Sequence, residues 1–316
     1  MISKLFAKSE DVTTTKIKYT AGERVFLGFI YIFLILLNIA FLYPLFQTAV
    51  ISISNPREVL ATNGLMLLPR GIHLDGYRVA FSNPNLWSGV YNTFFYVIFG
   101  TLFIMLITVL AGYTLSLRDA MLKKPIMIYL TITMYFSGGL IPFFLLISQL
   151  GLLNSRLVLI IPYGVNVWNI IIMRTQFRNL PDELKDAAII DGANDFRMLF
   201  QIFIPLSKAV LAVLILFSVV SYWNMWFEPM IFLNDRSLYP LQSILREILI
   251  DVNERVMAGA QGGPGARIDR TLMGNIGFRR VVQSAFIMIS TLPILFVYPF
   301  AQRFFVKGVM VGSLKG

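Results

Sequence analysis

The chain of 316 residues contains no cysteine and a single histidine. The first absence excludes a disulfide framework, a thiolate metal site and a cysteine nucleophile. The second excludes a two-histidine metal site, and His73, set in a polar loop, reads as a solvated loop residue. Charge is scarce as well. Asp, Glu, Lys and Arg make up 14% of the chain, against about 25% in soluble domains. Phosphate-binding loops are missing too. The glycines at 259–265 run into Ala266-Arg267, whereas a P-loop needs G-x-x-x-x-G-K-[ST] so that backbone N–H groups and a lysine can cradle phosphate. If ATP drives this protein, another subunit hydrolyses it. With no His or Cys chemistry and no paired carboxylates inside its apolar runs, the chain does not read as a membrane enzyme.

What is abundant is apolar length. Hydrophobic residues are 57% of the chain and mean hydropathy is +0.71. A helix needs about 20 apolar residues to cross a bilayer core of about 30 Å. Six stretches qualify, at roughly 25–50, 91–117, 126–148, 157–173, 207–233 and 281–303. The expectation is an all-α membrane protein with six transmembrane helices. Gly138-Gly139 and Pro142 interrupt the third stretch, and Pro162 and Gly164 the fourth. Such breaks are tolerated where neighbouring helices cover the freed backbone groups, so they predict bent helices around a cavity. Glu228, near the outer end of the fifth stretch, is the one carboxylate within the runs. Ion-coupled transport calls for ionisable groups in the membrane, and no relay accompanies Glu228, which weighs against an ion-coupled secondary carrier for a small polar solute, the rival reading.

The net charge is +10. Its Lys and Arg residues flank the apolar runs instead of forming a stripe on a soluble face, so nucleic acid is not an expected partner. Anchoring to anionic lipid head groups accounts for them more simply. Residues 1–24 carry five basic residues and three acids, and the apolar run that follows is longer than a signal peptide's ~7–15 residues, so it is expected to be retained. Arg118, Lys123 and Lys124 crowd the second connection, and Arg174, Arg178, Lys185, Arg197 and Lys208 surround the fourth. The positive-inside rule then places both termini and these two connections in the cytoplasm. The loop at 234–280 is also Arg-rich but long, so its charges weigh less in that rule. The outer loops are expected at 51–90, 149–156 and 234–280, with tails at 1–24 and 304–316.

Between the fourth and fifth stretches lies PDELKDAAIIDGANDFRMLFQIFIPL, residues 181–206. Two short helices fit it. Pro181 suits a helix start, and Asp182, Glu183 and Asp186 favour the positive end of its dipole. Leu184, Ala187, Ala188 and Asp191 follow helical spacing, and the small residues would let another protein approach closely. Gly192 stops this helix. Asn194 or Asp195 can cap the next, in which Phe196, Leu199, Phe200 and Phe203 form an apolar stripe and Pro205 breaks the end.

The strings Asp186-Ala187-Ala188, Asp191-Gly192-Ala193 and Ile204-Pro205-Leu206 resemble the EAA loop of binding-protein-dependent ABC importer permeases, closest to their carbohydrate-uptake, maltose-type branch. Two departures are Asp186 where the motif has Glu, and the order Pro205-Leu206. The first keeps the charge on a shorter arm; the second keeps a proline at the helix end. The resemblance implies the type I ABC importer permease fold, with 25–303 as the transmembrane domain and 181–206 as a cytoplasmic coupling helix that docks on the ATPase. It makes Glu183, Asp186, Ala187, Ala188, Asp191 and Gly192 the candidate ATPase-coupling residues. It implies a second homologous permease, two ATPase subunits that bind ATP and Mg, an extracellular solute-binding protein and a carbohydrate substrate, in a bacterial cell membrane. No cofactor or metal is expected on this chain itself. The end of the chain, 298–316, also resembles this branch, whose tail reaches the ATPase dimer; a frayed tail is the plainer reading.

The fifth stretch ends in Tyr222-Trp223-Asn224-Met225-Trp226-Phe227-Glu228. An aromatic belt at the membrane interface is the ordinary use of such residues. The alternative is a sugar platform, with Tyr222, Trp223 and Trp226 offering ring faces and Asn224 and Glu228, four apart, sharing a helix face. Asn166 and Asn169 of the fourth stretch are further polar groups at depth and are expected to face a cavity. In the outer loop, Leu241, Ile244, Leu245 and Ile248 predict an amphipathic helix lying on the bundle or the membrane surface. The Gly-rich segment beyond it, around 258–265, corresponds in maltose-type relatives to a loop that enters the binding protein; a disordered connector is the other reading.

Overall fold

A computed structural model describes residues 20–61, 66–260 and 276–296, with residues 61 and 251–260 described as backbone alone. Most of the tail expected at 1–24, most of the Gly-rich segment at 258–265 and the whole of 298–316 lie outside the described residues. The chain divides after Gln47. The first unit is built on the apolar helix α1 (Ala21–Ser52), whose largest side chains, among them Phe26, Ile32 and Phe41, are exposed. In water that surface would be untenable; in lipid it is the expected one.

The second unit is helical, and its described residues contain one isolated β-bridge, Ser54 to Ile72, and no strand. Short helices α2 (Pro56–Ala61) and α3 (Asp75–Ser82) lead into α4 (Pro84–Ser116). Pro84 sits in the first turn of α4 and the Asn83 side chain accepts the Asn85 N–H, which fixes where this helix starts. At 33 residues α4 is about 50 Å long, more than a bilayer core requires. It is the spine of the unit. Packed on it are α7 (Val167–Arg178), α11 (Lys208–Trp223) and α13 (Leu241–Ala260). The core at their centre contains Tyr96, Ile104, Met173, Phe177, Phe203 and Leu214, all buried. Because lipid removes most of the hydrophobic drive between helices, close approach and packing carry the association. Gly89 is one such point: a Cβ there would lie 2.4 Å from the Ile244 side chain and 3.2 Å from the Leu241 backbone.

Three described helices are long and apolar enough to cross a membrane: α1, α4 and α14 (Ile276–Phe296). Two further candidates are bent pairs. Helices α5 (Lys123–Tyr135) and α6 (Leu140–Gln149) meet at 117°, at the Gly138-Gly139 break, where Gly139 takes φ +85°. The second pair, Asp195–Leu206 with α11, meets at 83°.

The fourth expected stretch, 157–173, is not one helix. A 3₁₀ turn at Arg156–Leu159 is followed by turns around Pro162 and Gly164, and α7 then runs on to Arg178. Proline and glycine end the helical ladder, and the apolar residues just before them, Val158, Leu159 and Ile160, are buried inside the unit instead of facing lipid. The fifth stretch, 207–233, also divides. Helix α11 ends at Trp223 and a separate short helix, α12 (Phe227–Phe232), follows a turn.

Candidate functional site

The segment 181–206 folds as a helix, a tight turn and a second, irregular helix. Helix α8 (Asp182–Ile190) starts one residue after Pro181. At its end Gly192 adopts φ +73°, a conformation open to glycine and costly for other residues. The Gly192 N–H donates to Ile189 O at 3.0 Å and the Ala193 N–H to Ala188 O at 2.9 Å, the paired bonds that close a helix with a left-handed cap. The Asn194 side chain then accepts the Arg197 N–H at 2.9 Å and opens α9 (Asp195–Met198). The ladder widens to a π turn over Leu199–Phe203, where the Ile204 N–H reaches back to Leu199 O, before Ile204–Leu206 (α10) completes the segment.

The base of the segment is tied to the bundle. Tyr113 of α4 donates to Asp195 at 2.9 Å. Its ring meets Phe177 and Phe203 edge-to-face at 6.4 and 5.0 Å, and these two meet each other at 5.3 Å. Lys185 lies 5.7 Å from the Phe203 ring and pairs with Asp182 at 3.2 Å. Asp182 also takes Arg118, from the connection between α4 and α5. The Lys185 hydrogen bond, with the Arg118 charge beside it, holds the exposed Asp182 carboxyl below the usual carboxylate value.

The crest of the segment is turned outward. Ile189 and Ile190 are 61% and 86% exposed, and Phe196 and Phe200 stand out beside them at 69% and 58%. Glu183, Asp186, Ala187, Asp191 and Gly192 are also exposed. Ala188 points the other way, 6% exposed in the core of its own chain, so it does not share an open face with Leu184 and Ala187. The stripe in the second helix is likewise split. Its Leu199 and Phe203 edge is buried and its Phe196 and Phe200 edge is open.

At the other end of α4 a polar knot ties in residues 232–241. The Asn92 amide donates to Ser237 O at 2.6 Å and Tyr239 O at 3.1 Å, Tyr96 donates to Leu238 O at 2.9 Å, and Thr93 accepts the Leu241 N–H at 2.8 Å. Asn154 accepts the N–H groups of Asn234 and Asp235. Arg156 donates to Asn92 Oδ1 at 3.1 Å, its guanidinium 5.0 Å from the Phe95 ring and 5.5 Å from that of Tyr91. The amphipathic face of α13 completes the seal: Leu241, Ile244 and Leu245 are buried and Ile248 is half-buried.

The aromatic cluster lies beside this knot, and its members do different things. Tyr222 is buried with its ring against Gly100. Trp223 is buried, donates its indole N–H to Ser290 O at 3.1 Å and meets Phe94 edge-on, joining α11, α14 and α4. Asn224 caps α11, its amide on Val220 O at 2.9 Å, with the side chain exposed. Because the helix ends there, Asn224 and Glu228 do not share a helix face, as even spacing had suggested. Trp226, 37% exposed, lies in the turn under the Arg246 guanidinium, 4.4 Å from its ring centre. Asn166 caps α7 by accepting the Asn169 N–H at 3.0 Å, and Asn169 is buried beneath it.

Residues 105–311 match the family of binding-protein-dependent transport system inner membrane components. The chain belongs to this family. The permease is 36% identical over 93% of its length to the polygalacturonan/rhamnogalacturonan transport system permease protein YtcP of Bacillus subtilis, 99% of which is covered. It is 34% identical to protein LplC of the same organism, over 81% of this chain and 84% of that one. Among solved structures, a bacterial ABC transporter involved in the import of the acidic polysaccharide alginate matches with a TM-score of 0.80 and 29% identity, over 91% of the permease and 99% of the compared chain. The permease is therefore a multi-pass membrane protein with the helical fold of ABC importer subunits.

Several residues that shape these sites carry no motif. Tyr113 and Phe177 anchor the 181–206 segment; Tyr113 sits in an apolar run where any aromatic would look like core, and Phe177 stands alone between Gln176 and Arg178 just past one. Arg118 and Lys123 stood out by charge alone. Lys123 donates to Leu117 O at 3.2 Å and also to Arg118 O, closing the connection that presents Arg118 to Asp182. Arg156 and Asn92 gave no signal at all, since their partners, the Asn92 side chain for Arg156 and the Ser237 and Tyr239 carbonyls for Asn92, lie more than 60 residues away. Among the described residues no His/Cys/Asp/Glu cluster could hold a metal ion.

Proposed function

We propose that this chain is the permease subunit of an ATP-driven ABC importer that moves a sugar or oligosaccharide, delivered by an extracellular binding protein, into the cytoplasm. The observation that carries the reading is the 181–206 segment: a base bound to α4 and α7 under an apolar crest of Ile189, Ile190, Phe196 and Phe200 that its own chain leaves open. A partner with a matching cleft covers such a crest, and in this reading the partner is an ATPase subunit that binds ATP and Mg. Exposed Glu183, Asp186, Ala187, Asp191 and Gly192 form the contact, while buried Ala188 sets the height of α8 against the bundle. Closure of two ATPase subunits pulls the crest, and α4 and α7 transmit the pull to the cavity between this permease and a second homologous one.

The reading has six spans: α1, α4, the bent pair α5 and α6, the segment 157–178 that ends in α7, α11, and α14. Both termini and the 181–206 segment face the cytoplasm, and the 232–260 segment faces outside. On the outer side Trp226, Asn224 and Glu228 edge the substrate pathway, with Asn166 and Asn169 at its wall and Tyr222 and Trp223 as the packing behind it. The similarity to a polygalacturonan/rhamnogalacturonan permease and to an alginate importer supports a carbohydrate cargo. The test is reconstitution of the chain with a second permease, the ATPase and the binding protein in proteoliposomes. ATP-dependent oligosaccharide uptake that survives collapse of the proton gradient is expected. Uptake that needs the gradient and not ATP would make the chain an ion-coupled carrier.

A further inference from the structure

Trp226 stands where the helix is interrupted. Between α11 and α12 the backbone of Asn224, Met225 and Trp226 is non-helical. In a membrane protein such backbone is tolerated where it is buried in protein or lines a water-filled space. Met225 is buried, while Asn224 and Trp226 are open. Broken helices at such places repeatedly form substrate sites. Two contacts hold this one in shape. The Ser243 hydroxyl donates to Trp226 O at 3.1 Å, and the Phe227 ring meets Trp226 edge-on at 5.6 Å.

Arg246 lies over this fixed ring at 4.4 Å. It is exposed, and no described carboxylate pairs with it; its neighbour Glu247 is taken by Arg236 at 3.5 Å. A guanidinium in cation–π contact with an indole can still offer an edge to a ligand. That edge carries a planar fork of N–H donors whose spacing matches a carboxylate, and a lysine in its place would supply charge without the fork. Asn224 adds an amide on the same turn. Together these groups supply an aromatic surface for the C–H face of a pyranose and a bidentate donor for an acidic substituent.

We propose that Trp226 and Arg246 form a subsite that reads the carboxylate of a uronic acid residue, so that the permease selects acidic over neutral oligosaccharides. This inference rests on the import reading given above. It is tested with the assembled transporter and its binding protein in proteoliposomes, using trigalacturonate and its fully methyl-esterified, uncharged form as probes. Arg246→Gln is expected to lower trigalacturonate uptake by about tenfold below saturation while changing uptake of the ester by less than about twofold. Arg246→Lys is expected to recover only part of the loss, and Trp226→Phe to weaken both substrates through lost ring area. Equal effects of Arg246→Gln on both probes would assign Arg246 to binding-protein docking or to packing and overturn the subsite, as would no effect on either. Wild-type uptake of neutral oligosaccharides without trigalacturonate would overturn the subsite and leave the import reading standing. If no oligosaccharide enters in an ATP-dependent way, the import reading itself falls.

Discussion

The two irregular segments at opposite ends of α4 use their apolar residues in opposite ways. Residues 232–249 turn Leu241, Ile244 and Leu245 onto their own bundle and satisfy their backbone through Asn92, Thr93, Tyr96 and Asn154. Residues 181–206 bury Ala188, Leu199 and Phe203 but leave Ile189, Ile190, Phe196 and Phe200 outside. The first segment is finished within the chain; the second leaves its apolar crest open. On the proposed reading, the first end is a fixed fitting and the second is the joint with the ATPase.

Charge placed at the two ends should separate them most sharply. Ile244→Glu buries an unpaired carboxylate, and a loss of about 3–5 kcal/mol is expected, read as loss of folded protein from the membrane. Ile190→Glu puts the same charge on a side chain 86% exposed in this chain. It should leave abundance and thermal stability unchanged, yet reduce ATP-coupled uptake at least about tenfold by putting a charge into an apolar contact. Similar loss of fold at both positions would erase the distinction between the ends.

Next in size is Gly192→Val. A β-branched residue at φ +73° costs roughly 1–3 kcal/mol in local strain. Uptake should fall further than the melting temperature does, because the turn that sets the crest distorts while the core is untouched. Removing one polar tie at each end is milder. Asn92→Leu strands Ser237 and Tyr239 carbonyls and should cost about 1–3 kcal/mol, whereas Tyr113→Phe removes one hydrogen bond to Asp195, worth about 1 kcal/mol. Denaturation of the purified permease in detergent would rank them.

The smallest effect concerns pH. Asp182 has a folded-state pKa below its ordinary value of 3.8, so its contribution is present above that value and fades as pH falls through the depressed one. Wild type and Asp182→Asn should therefore differ by a constant, salt-sensitive amount from neutral pH down to about 5 and converge only in strong acid. A difference that vanishes between pH 6 and 7 would point to another group.

The long apolar helices and the breaks were legible because length and apolarity are one-dimensional properties. Gly138-Gly139 and Pro162 announced their interruptions, and the α13 stripe read correctly because Leu241, Ile244 and Leu245 lie on one buried face. The fourth stretch misled because apolar residues at 157–166 can be buried in turns as well as in a lipid-facing helix. The direction of α8 was illegible for a related reason. A helix of nine residues offers Leu184-Ala188 and Leu184-Ala187 faces of nearly equal pattern, and only the bundle decides between them. In the second helix the stripe spans about 100°, and the bundle accepts its Leu199-Phe203 edge while leaving Phe196-Phe200 open. The Trp226–Arg246 stack depends on residues 20 apart meeting across a broken helix, which no periodicity encodes.

The absence of cysteine from the sequence makes the central claim directly measurable. Single cysteines at Ile190, Phe196 and Ile244 can be introduced into the assembled transporter and treated with a short bifunctional thiol reagent. The account predicts cross-links from Ile190→Cys and Phe196→Cys to the ATPase subunit, and none from Ile244→Cys. Labelling of Ile190→Cys by a membrane-impermeant reagent from outside the cell, without any cross-link to the ATPase, would contradict it.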